Sequence, residues 1–184
     1  VAHMGVAIGD SAIANYYRNV AIGHKVISNN QSAGLAIGSN VIVKGATSWA
    51  MGHNLTATGN FATVMGTNAS TLTKKGGFLY GDLSTTDTVV SLVDNQFMAR
   101  ADGGVIFYTS GDLSMGVELL PGAGSWSMIS DRSKKMNSVP LAPLYFKSHF
   151  DSLPVFSWNY IGQTTRHIGP MAQDLYRLFK AGEK

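Results

Sequence analysis

The sequence predicts a mainly β protein: a narrow β-solenoid, then a β-rich neck, then a small α+β module at the C-terminal end. Three observations in its 184 residues carry this reading. A short apolar unit closed by glycine recurs five times at near-constant spacing. Strand-like segments separated by glycine turns follow it. At Ser130 the texture changes to helix-like apolar spacing and a more basic charge pattern.

The repeat fills residues 5–71. VAIGD at 6–10, VAIGH at 20–24, LAIGS at 35–39, WAMGH at 49–53 and TVMGT at 63–67 place Gly9, Gly23, Gly38, Gly52 and Gly66 at spacings of 14, 15, 14 and 14. A weaker beat lies between them in KVIS, NVIVKG and NLTATG, so each coil holds two short apolar runs. Such runs are too short for helices and suit strands. Glycine supplies the positive φ of a sharp corner. Asn40, Asn54 and Asn68, each two residues past a glycine, suit the same corner because Asn tolerates the left-handed region. Ala7, Ala21, Ala36 and Ala50 are expected to point inward and let the two strand layers approach closely. At about 4.8 Å per coil the five coils rise only about 24 Å. A roll this thin encloses little, so its remaining apolar face is expected to be buried against partner chains.

This pattern resembles the head repeat of trimeric autotransporter adhesins (YadA-like). The resemblance implies a left-handed parallel β-roll and a homotrimer whose rolls pack around a threefold axis. A purely structural fibre spacer is the plainest alternative.

Residues 72–129 read as the neck. NQFMARADGGVIFYTS, at 95–110, reads as two strands joined at Asp102-Gly103-Gly104, a hairpin signal. GVELLPGAGSWSMIS adds a strand and a Pro-Gly turn. An NQF-arginine strand, a GG turn and an aromatic strand resemble the segment before the chaperone in phage tail fibres and related bacterial fibre proteins. Interweaving among three chains is expected.

Residues 130–184 form the last module. PLYFKSHFDSL has Leu144, Phe146, Phe150 and Leu153 at helical spacing with Pro143 at its start. VFSWNY and RHIG read as a hairpin around Gly162, and GPMAQDLYRLF as a short amphipathic helix begun at Pro170. SDRSKK, LPVFSWNY and RHIGPMAQDLY together resemble the intramolecular chaperone of endosialidase-type tailspikes, the peptidase S74 family. The resemblance implies self-cleavage between Ile129 and Ser130, with Ser130 as nucleophile and Lys135 assisting. It also implies that more helical structure follows Lys184. The chemistry is sound: a serine hydroxyl attacks only once a base takes its proton, and a lysine serves as that base only with a lowered pKa. Lys134 and Arg132 are placed to lower it. Such processing is a single turnover on the chain itself.

Composition narrows the remaining classes. The net charge of +3 is uneven, with six Lys/Arg against seven Asp/Glu over 1–129 and eight against four over 130–184. The body is slightly acidic, which argues against nucleic-acid binding. No apolar run reaches the roughly 18 residues of a membrane span, so no membrane insertion by this segment is expected. Without cysteine there is no disulfide, thiol catalysis or thiolate metal site. His24 and His53 hold equivalent places in their coils, yet polar corners are commoner than ligands there, and neither a metal nor a cofactor is called for.

The expected function is an adhesive fibre tip, extracellular on a cell surface or virion, whose export signal lies outside this sequence. Its partner would be a cell-surface ligand, a glycan or a protein. Tyr16, Tyr17, Trp49 and Phe61 are the candidate ligand-binding residues, as rings that stack on sugars or pack between chains. A glycan depolymerase is the rival class. It needs two facing carboxylates, and the repeat holds only Asp10.

Overall fold

The computed structural model describes residues 4–30, 32–129 and 135–180. The chain divides into two units, Val1–Ser130 and Asp131–Lys184.

The first unit is a β-solenoid. Its strands are β1 (Val6–Ile8), β2 (Ile13–Asn15), β3 (Val20–Asn29), β4 (Leu35–Val43), β5 (Trp49–Ala57), β6 (Thr63–Ser70), β7 (Phe78–Gly81), β8 (Val89–Val90) and β9 (Phe97–Arg100). They stack in parallel in the order β1-β3-β4-β5-β6-β7-β9, with β2 beside β3 and β8 beside β6. The two apolar runs of a coil form one strand bent at its glycine, as in β3 to β6. The register follows the sequence period: Gly23, Gly38, Gly52 and Gly66 lie side by side in successive coils.

Close approach explains the glycines. A Cβ built on Gly38 would sit 1.8 Å from the Gly52 carbonyl oxygen, and φ there is 130°. No side chain fits. Two residues on, Asn40, Asn54 and Asn68 adopt φ of 55°, 54° and 47°. Their carboxamides form a ladder, Asn40 Nδ2 donating to Asn54 Oδ1 at 2.8 Å and Asn54 Nδ2 to Asn68 Oδ1 at 2.7 Å.

The core lies inside the coils. Ala21, Ala36, Ala50, Val64 and Leu79 form one inward column in register, and Val26, Val41, Leu55 and Ala69 form another. Large and small residues are matched within coils: Ala50 goes with Leu55, while Val64 goes with Ala69. Each pair keeps one alanine, which holds the layers at one separation. Ala7, expected inside, is exposed at the end of the stack.

The stack does not stop at residue 71. β7 pairs with β6, setting Gly81 beside Gly66, and β9 pairs with β7, setting Arg100 beside Gly81. FLYGD is thus a further coil, and its large aromatics and the long insertion after it hide the repeat. The expected hairpin over 95–110 is absent for the same reason. Its turn forms, with Gly104 N donating to Ala101 O at 2.9 Å, but β9 is taken by the stack. β10 (Val105–Tyr108) instead pairs antiparallel with β11 (Gly116–Leu119), and β11 with β12 (Ser127–Met128).

The second unit holds α1 (Pro143–Asp151), β13 (Phe156–Trp158), β14 (His167–Gly169) and α2 (Ala172–Phe179). Pro143 stands at the start of α1. The strands pair antiparallel about a turn with φ 82° at Gly162. α2 begins at Ala172, two residues beyond Pro170, and ends on Lys180 in the left-handed region. Phe179 of α2 meets Phe146 and His149 of α1 at ring-centroid distances of 5.9 and 5.7 Å. Trp158 stacks on His167 at 4.7 Å. No helix among the described residues is long and apolar enough to cross a membrane.

Candidate functional site

Three surfaces of the first unit are set by the coil register. Outward positions of the first run in each coil form two apolar rows, Val6, Val20, Leu35, Trp49, Thr63, Phe78 and Phe97 in one, and Ile8, Ile22, Ile37, Met51, Met65 and Tyr80 in the other. Trp49, Met51, Met65 and Phe78 line a shallow apolar hollow of about 350 Å³ on this face. Trp49 therefore sits among mostly apolar neighbours.

The second surface is a polar cleft of about 400 Å³ at the corners that follow β2, β3, β4 and β5, lined by Tyr16, Asn29, Asn30, Lys44, Ala46 and Asn60. Hydrogen bonds fix its amides. Asn60 Oδ1 accepts from Ala46 N at 3.0 Å, and Asn30 Oδ1 from Ser32 N at 2.9 Å. Asn29 Oδ1 and Asn30 Nδ2 are buried and have no partner among the described residues. An unmet buried polar atom costs about 1–3 kcal/mol, so these are sites of stored demand for a hydrogen bond. Tyr16 holds φ of 68°, a backbone region that bulky side chains rarely adopt.

The third surface closes the stack. Where a glycine would continue the column, Arg100 donates through Nε to Asp82 Oδ1 at 2.8 Å and through Nη2 to Asp82 O at 2.8 Å. Ser84 Oγ and the Asp102 amide donate to the same carboxylate at 2.7 and 2.6 Å. The Ser84 hydroxyl first, then the Asp102 amide and Arg100, hold the Asp82 carboxyl far below the usual carboxylate range.

The four candidate aromatics are not brought together. Tyr16 lines the cleft, Trp49 lies on the apolar face, Tyr17 carries the Arg18 guanidinium over its ring at 4.6 Å, and Phe61 projects from a corner with φ of 57°. His24 bonds Asp10 at 2.9 Å through Nδ1, and among the described residues no three His, Asp or Glu side chains converge as a metal site. Sequence reasoning missed Asn29, Lys44 and Asn60. The signal available was that they lie at the ends of, or just past, consecutive second runs, so the 14-residue period brings them to one edge of the stack.

At the junction of the units, Ser130 lies outside the described residues, as do Arg132 and Lys134. Lys135 is exposed. Ile129 N donates to Gly116 O at 3.0 Å, so the residue before the expected cleavage point is tied to β11. Residues 130–182 match the model of the peptidase S74 family, described as chaperone of endosialidase. No curated protein and no solved structure matches the chain.

Proposed function

We propose that this chain is the tip of a homotrimeric, extracellular adhesive fibre of the YadA-like head type, which binds a cell-surface glycan and is folded by its C-terminal chaperone segment. One observation carries the trimer: beyond Ser91 no described residue is buried. Phe97, Phe107, Leu113, Trp126 and Met128 stand exposed in the first unit, and neither α1 nor α2 has a buried residue. A chain that exposes this much apolar surface over so long a stretch marks an interaction surface. The rows of Val, Ile, Leu and Met on the solenoid face give the first unit a further apolar surface. Three copies meeting on it would supply the missing core.

Self-cleavage belongs to the same proposal. Ser130 Oγ attacks the Ile129 carbonyl carbon, Lys135 takes the hydroxyl proton, and the Ser130 nitrogen leaves as an amine. The resulting ester is then hydrolysed by water, releasing the Ile129 carboxylate and restoring the hydroxyl. Docking of three tails would hold the lysine within hydrogen-bond reach of the hydroxyl, so cutting would follow assembly. Intact-mass measurement on the refolded trimer tests this step, with the cut expected between Ile129 and Ser130 and abolished in Ser130→Ala. Light scattering tests the trimer, and a stable folded monomer overturns it.

A further inference from the structure

An adhesive solenoid needs a place for its glycan, and the apolar face is better suited to another copy of the chain. We infer that the polar cleft formed by Tyr16, Asn29, Asn30, Lys44 and Asn60 is the saccharide subsite and takes a sugar that bears a carboxylate; this rests on the adhesive function proposed above. Its volume of about 400 Å³ falls in the range of about 300–1,000 Å³ that small-ligand sites occupy. The lining holds one aromatic ring, three carboxamides and one ammonium, and no carboxylate.

The direction of the free hydrogen-bonding groups sets the ligand's chemistry. Asn60 commits its side-chain oxygen to a backbone amide, which orients the rest of the carboxamide and leaves its NH₂ as the group for a ligand. Lys44 adds three N–H donors and forms no ion pair among the described residues. The groups open to the cleft are donors, and a planar anion answers them. Ammonium-to-carboxylate bonds are charge-assisted and stronger than neutral ones. The Tyr16 ring, still 47% exposed, offers a face for the apolar side of a pyranose.

An array of uronate-containing oligosaccharides beside their methyl esters, presented to the full chain, tests this. The acids should bind about tenfold tighter than the esters, and Lys44→Met should erase that difference. Tyr16→Asn should weaken binding of the acids by about tenfold without lowering the unfolding midpoint, because Asn adopts the left-handed backbone at little cost. Equal binding of acids and esters overturns the carboxylate class. Undiminished binding in both variants overturns the site and leaves the adhesive function standing. If the array, extended to neutral glycans, captures nothing with the wild-type chain, the adhesive reading and the site fall together.

Discussion

Single residues fix the coil by exclusion. Gly38 and Gly52 stand where the next coil's carbonyl takes the space of a side chain, so Gly52→Ala must push two coils apart as well as strain φ. A loss of more than about 2 kcal/mol is expected, read as a fall in the denaturation midpoint of the first unit. Ala50 and Leu55 make a subtler case. Ala50→Leu should cost about 1–3 kcal/mol by overfilling, and Leu55→Ala about 2–5 kcal/mol by the cavity it leaves. Combined, they recreate the order already present at Val64 and Ala69. The double variant should therefore lose at least about 1 kcal/mol less than the two single losses added; strict additivity would show that the two inward columns do not compensate.

At the scale of elements, a local signal and a stacking partner compete, and the partner wins. The five glycine-closed runs are legible because period and register coincide. FLYGD escaped because large aromatics replace the small residues of the unit and an insertion follows it, and the Asp102-Gly103-Gly104 turn misled because it forms without joining paired strands. The cleft was illegible for another reason: Tyr16 and Asn60 are 44 positions apart, and only the coil register makes them neighbours.

Acid should loosen two of these elements. In the β10–β11 turn, Ser114 Oγ at 2.7 Å, then Ser110 and the Ser114 amide, pull the Asp112 carboxyl down to about 2. A depressed carboxylate contributes stability above its unfolded value of 3.8 and loses it as pH falls towards about 2. The Asp82–Arg100 closure gives way lower still. Amide exchange at Ser114 should accelerate across that window, and Asp112→Asn should remove the pH dependence there while leaving it at Asp82.

For the whole molecule, the loss of burial begins well before the change in charge, and both mark the C-terminal part. The basic excess lies after residue 129 and, among the described residues, the buried ones end at Ser91, so the C-terminal part is poorly equipped to fold as a lone chain. A chain ending at Ile129 should trimerise from denaturant much more slowly than the full chain, and equal rates would remove the chaperone role. In the assembled protein, Trp126, 51% exposed in the single chain, should be shielded from acrylamide quenching, whereas open quenching would place the neck outside the interface.

The order of the stack also determines how the rod meets a pulling force. Its first layer is β1 and its last is β9, so tension between them would peel layers away in sequence instead of shearing them all at once. Each 14-residue coil drawn out straight gains about 50 Å of contour in exchange for about 4.8 Å of height. Stretched from its ends, the solenoid would give a series of short, regular yields, each one dissipating load before the next, with the Arg100–Asp82 closure as the catch that delays peeling from that end.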